Sequence, residues 1–150
     1  MNEELTYFNQ IDAAERIDDK NGVISGVSLI TMGNAKGHNL VVDEKTLSQL
    51  SESLKNTKPP GIKAKLNHRS GVEAVFGFIN NVRVDGMKLI GDLHMLQNHR
   101  DYDQTMEQLK TMPGQIGLSV AFQGDKEQGS DGKVYARCKN IVSVDLVSDP

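Results

Sequence analysis

The chain has 150 residues, 17 basic and 20 acidic side chains, a formal net charge of −3 and one cysteine. These counts exclude an internal disulfide framework and a cysteine-rich zinc site. They also disfavour a nucleic-acid module, which usually carries a basic excess, and no apolar run approaches the ~20 residues of a membrane span. The length fits a single domain with a true core. With 37% hydrophobic residues and no tryptophan, that core has to come from Leu, Ile, Val and a few Met and Phe. The acidic N-terminus, MNEELTYFNQ, is unlike a secretory leader, so a soluble intracellular chain is expected.

In chain order, residues 1–21 read as a polar lead-in ahead of a domain spanning residues 22–150. Gly22 to Gly33 is β-branched and bounded by glycines, which predicts a strand; residues 34–39 predict a loop. Asp43 can cap a helix whose apolar stripe is Leu47, Leu50 and Leu54, and Thr57 to Gly61 (TKPPG) stops it. A short strand, Ile62 to Leu66, delivers Asn67, His68 and Arg69. Val72 to Val84 and Met87 to Leu96 flank Asp85-Gly86 and predict a hairpin. Asp101 can cap a second helix with Tyr102, Met106 and Leu109 on one face, ended by Pro113-Gly114. Strands follow over Gln115–Gln123, Lys133–Cys138 and Lys139–Val147, the first two bracketing a turn-rich Gly124–Gly132. The expected class is mainly β with helices (α+β), an antiparallel barrel or sandwich with helices around it.

Three positions invite chemistry. In the strand from Gln115, the residues Ile116, Leu118, Val120 and Phe122 should face the core. Ser119 falls on the other face between Gly117 and Ala121, small neighbours that leave a hydroxyl open to an approaching carbonyl. In the last strand, Val142, Val144 and Leu146 take one face, and Ile141, Ser143, Asp145 and Val147 the other. Both are largely apolar, so a carboxylate at Asp145 needs a partner, for which an imidazole N–H is suited. His68 follows a strand among Lys63, Lys65 and Arg69, cations that lower an imidazole's pKa and favour the neutral form a general base requires. Each has a plainer counterpart: a surface serine, an edge aspartate facing water, an inert loop histidine. His38 and His94 lack a ligand-like neighbourhood. His94 and His99, five apart without a nearby cysteine, give only a weak metal signal. No glycine-rich phosphate loop or Gly-x-Ser-x-Gly elbow is present, so neither cofactor nor metal is expected.

The ordered set of LNHR (Leu66–Arg69), GLSVAF (Gly117–Phe122) and VSVDLVSDP (Val142–Pro150) resembles the capsid-maturation (prohead) proteases of tailed phages, distant relatives of the herpesvirus assemblins. VFGFI (Val75–Ile79) and the hairpin after it fit the same pattern. The resemblance runs from about Gly22 to Pro150 and implies an assemblin-like antiparallel β-barrel surrounded by helices, with residues 22–150 as the protease domain. It puts the histidine base on His68, the nucleophile on Ser119 and the acid on Asp145. Other branches carry the acid where this chain has Ser143, on the same face of the strand. Where many relatives have glycine, this chain has Ala121, and no match to the assemblin arginine pair is found.

The implied activity is peptide hydrolysis through an acyl-enzyme. The implied substrates are the phage scaffolding protein, the major capsid protein precursor and the protease itself. Cleavage would take place inside an assembling procapsid in the bacterial cytoplasm, with self-association left open and neither nucleic acid nor membrane as partner. The alternative is a non-catalytic capsid-assembly or scaffold-binding module on the same fold.

Overall fold

The structure is a computed structural model that describes residues 3–10, 17–34, 40–67 and 69–148, with backbone alone for residues 3–10 and 34. Its elements are β1 (Glu3–Gln10), β2 (Ile17–Asp18), β3 (Val23–Thr31), β4 (Gly33–Asn34), β5 (Val41–Val42), α1 (Glu44–Lys55), β6 (Ile62–Leu66), β7 (Val75–Asp85), β8 (Lys88–Met95), α2 (Tyr102–Thr111), β9 (Ile116–Gln128) and β10 (Val134–Ser148). Among the described residues the strands form one sheet in the order β1-β9-β10-β6-β7-β8-β3-β2, with β5 also pairing with β10 and β4 with β5. The α+β class expected from the sequence holds.

The closed antiparallel barrel does not. β1 and β2 stand at opposite ends of the sheet, and β10 runs parallel to both β6 and β5. Closure needs matched tilt and register around the whole ring, and β2 has only two residues with which to pair. The sheet curls far enough to bring β3 near β1 and β9, but none of the described ladders joins them. The N-terminal reading is corrected as well. Residues 3–10, assigned to a lead-in, pair with residues 117–124 of β9 over their full length. The sheet therefore begins well before Gly22.

Local chemistry explains most other elements. Asp43 accepts a hydrogen bond from the Thr46 N–H at 3.0 Å, and the Thr46 hydroxyl accepts one from the Asp43 N–H at 3.2 Å. This reciprocal box starts α1, which buries Leu47, Leu50 and Leu54 against β10 and β7. Asp101 stands at the start of α2 without capping it. Its carboxylate lies instead 3.7 Å from Arg100 Nε, and α2 buries Tyr102, Met106 and Leu109 as expected. The β7–β8 hairpin turns on Gly86-Met87 between paired Asp85 and Lys88. Gly86 has φ +62° there, a value open to glycine at little cost at the first position of a two-residue turn.

The two strands expected over Lys133–Cys138 and Lys139–Val147 are one. β10 continues through its 15 residues because two bulges, between Cys138 and Asn140 and between Ile141 and Ser143, absorb the irregularity. α1 serves the backbone there. The Gln49 side-chain Oε1 accepts from the Cys138 N–H at 2.8 Å, and the Ser53 hydroxyl accepts from the Ile141 N–H at 3.1 Å. Donors that the disrupted ladder could leave unpaired are thereby satisfied.

A second tie between α1 and β10 is ionic. Arg137, 11% exposed, donates to both oxygens of Asp43, at 2.8 and 3.1 Å. Burial pushes the Asp43 carboxyl up, but Arg137 and Thr46 outweigh it and hold the carboxyl below its ordinary 3.8. Asp43 thus binds its proton less readily in the folded chain than in the unfolded one. Its contribution is complete above the ordinary value and fades as pH falls through the lower, folded value. Arg137→Gln is expected to lower the urea midpoint near neutral pH, with the gap to wild type narrowing below about pH 4. A gap of constant size down to about pH 2.5 would assign the role of Arg137 to packing instead.

Candidate active site

On its core side β9 alternates as its sequence predicts, with Ile116, Leu118, Val120 and Phe122 all buried. Its other side, however, is not half-exposed. Ser119 is 3% exposed and Ala121 4%, so the open approach expected at the hydroxyl is absent. No hydrogen bond among the described residues engages the Ser119 side chain.

β10 brings the carboxylate alongside. Asp145 is registered directly opposite Ser119 in the antiparallel ladder, Ser143 opposite Ala121 and Val147 opposite Gly117. Directly opposed residues in such a pair have Cβ atoms about 4.5–5.5 Å apart and share one face. Asp145 is 1% exposed, and its Oδ2 accepts a hydrogen bond from Ser143 Oγ at 3.3 Å. The second bulge sets which way these residues point. Ile141 is opposite Phe122 and Ser143 opposite Ala121, so β10 advances two residues while β9 advances one. Val142 is the extra residue and is 40% exposed. Ile141, expected beside Ser143 and Asp145, packs against the core instead.

β6 completes this level of the sheet. Lys65 is registered with Asp145 in the parallel β6–β10 ladder and Leu66 with Leu146, while the Asn67 N–H donates to the Leu146 carbonyl at 2.9 Å. The residue next in sequence is His68, which lies outside the described residues, as does His38. Of the three expected site residues, the structure describes Ser119 and Asp145 and brings them together.

The other histidines are committed elsewhere. His94 stacks on Phe78 at 4.7 Å, with Nε2 2.9 Å from Asn80 Oδ1. His99 Nδ1 accepts from the Asp101 N–H at 3.1 Å, which leaves its Nε2–H to donate to the Glu73 carbonyl at 2.7 Å. Its ring also meets Phe76 edge-on. Among the described residues no group of three His, Cys, Asp or Glu side chains comes together to hold a metal. Burial pushes the Cys138 thiol up to about 11, outweighing a backbone hydrogen bond from Asn140, so it stays protonated at neutral pH.

One feature escaped the sequence. A groove of about 730 Å³ opens between α2 and the ends of β6 and β10, with Asn67, Arg69, Gln104, Gln108, Gln115 and Ser148 among its lining. Gln104 and Gln108, one helical turn apart on α2, were the available signal. Asn67 and Arg69 flank His68 in sequence, but Ser119 does not line the groove.

The fold is shared with a phage capsid assembly protease. The structure of the bacteriophage T4 capsid assembly protease, gp21, matches with a TM-score of 0.68, covering 99% of this chain and 99% of that one at 11% sequence identity. At that identity the likeness to gp21 is one of fold. Its span takes in the sheet that carries Ser119 and Asp145, and it concerns the phage enzymes of the expected resemblance, not the assemblins. No protein family and no curated protein matches the chain by sequence.

Proposed function

We propose that the chain is a serine endopeptidase of phage capsid maturation, with residues 22–150 supplying its catalytic groups. The observation that carries this reading is the cross-strand pairing of Ser119 with a buried Asp145, in a fold shared with gp21. Ser119 is the nucleophile and His68 the base that takes its proton as the scissile carbonyl is attacked. His68 then returns the proton to the leaving amine. Asp145 holds the imidazole tautomer and stabilises the transient imidazolium. Lys65, level with Asp145 on the next strand, adds a positive charge on the same level of the sheet. The substrates in this reading are the scaffolding protein, the capsid protein precursor and the chain itself, cut within the procapsid in the host cytoplasm.

A fluorophosphonate tests the reading without a known substrate. Attack forms a bond from the serine oxygen to phosphorus and breaks the phosphorus–fluorine bond; fluoride leaves and the base takes the hydroxyl proton. Wild type is expected to take up one equivalent at Ser119, located by peptide mass mapping, and Ser119→Ala none. Folded wild-type protein that stays unlabelled would favour the second reading, a non-catalytic capsid-assembly module. The near-complete burial of Ser119 is the observation on that side.

A further inference from the structure

We propose that Ser143 is a positioning residue for the acid, fixing the plane of the Asp145 carboxylate. The inference rests on the reading of Ser119 and Asp145 as nucleophile and acid. An aspartate's carboxylate rotates in a broad, roughly two-fold torsion, so a carboxylate meant to orient an imidazole has to be held at a chosen angle. Ser143 is two residues before Asp145, on the same side of β10, and donates to Oδ2 at 3.3 Å. An ionised carboxylate only accepts, so the direction of this bond is set. Held at Oδ2, the carboxylate presents Oδ1 at a defined angle.

Two further observations separate this role from filler. Both residues are buried, Ser143 at 9% exposure and Asp145 at 1%, and a buried charge needs hydrogen-bond donors around it. Moreover, β10 is otherwise built here of Val142, Val144, Leu146 and Val147. β-branched residues suit a strand better than serine does, so strand stability alone does not call for a hydroxyl at 143. Strand alternation puts Ser143 beside Asp145, and the bulge at Val142 turns Ile141 away from them to the core.

The experiment measures fluorophosphonate labelling of the full chain as a function of probe concentration, giving a maximal rate and a half-saturating concentration, with thermal melting alongside. Ser143→Ala is expected to lower the maximal rate about tenfold, the scale of a hydrogen bond to a charged group. The half-saturating concentration and the melting temperature should hold. Ser143→Thr, which keeps the hydroxyl, should recover most of the rate. A wild-type rate in Ser143→Ala overturns the proposal. So does a Ser143→Thr variant as slow as Ser143→Ala, or a loss that follows the melting temperature, because either makes Ser143 a packing residue. Ser119→Ala run in parallel separates the failures: labelling that survives in it removes the proposed nucleophile, and the role of Ser143 with it.

Discussion

Asp145→Asn is expected to slow fluorophosphonate labelling by about 10³- to 10⁴-fold while the fold survives. The carboxamide matches the carboxylate in size, so packing around a residue that is 1% exposed is kept. What it loses is the charge that stabilises an imidazolium, and the acceptor-only character that keeps the imidazole in its working tautomer. Melting should not fall in step with the rate, because the substitution also removes the desolvation cost of a buried anion. A variant labelled at the wild-type rate would remove Asp145 from the mechanism. An unfolded variant would show instead that the carboxylate is needed for the sheet itself, and would equally contradict the expected result.

The largest loss of stability is expected from Gly124→Ala. Gly124 is paired with Cys138 where β9 meets the first bulge of β10. A Cβ built there would lie 1.6 Å from the Arg137 carbonyl oxygen and 2.7 Å from its carbon. Backbone, not a flexible side chain, would have to give way. The strands would need to part beside the Arg137–Asp43 link. A cost of about 3 kcal/mol or more is expected, at the upper end for overpacking. Urea unfolding reads it directly, and an unchanged midpoint would mean that the close approach at Gly124 is not a constraint on the pairing.

The readable parts of this sequence were those governed by local rules. Asp43 capping α1, the Leu47, Leu50 and Leu54 stripe, and the buried face of β9 each follow from residues a few positions apart. So does the two-residue turn at Gly86, although it is centred one residue later than Asp85-Gly86 implied. What was not readable depends on pairing between distant strands. β1 pairs with β9, far away in sequence, and its acidic start hid the strand-forming Leu5, Tyr7 and Phe8. The sheet is left open where β2 offers only two residues, and its mixed strand direction comes from the parallel β6–β10 ladder, neither of which leaves a local mark. The site was legible as residue types in order; of the two settings open to Asp145, a buried strand or an edge facing water, the structure shows the buried one. The facing of Ile141 was not legible, because a bulge is a two-against-one count between strands and exists only once both are laid side by side.

Beyond that bulge, β10 is sensitive to odd and even, as a strand with one face on the core is. Gln49 and Ser53 of α1 anchor the backbone at Cys138 and Ile141, so the helix acts as a fixed ruler from which the rest of the strand is counted. Inserting a single residue between Ser143 and Asp145 would turn the carboxylate inward and a valine outward, with composition almost unchanged, whereas losing Val142, the extra residue of the bulge, would leave Asp145 opposite Ser119. A two-residue change would preserve the alternation. Length variation between Ser143 and Asp145 in related chains should therefore come in pairs, whatever the surrounding sequence does.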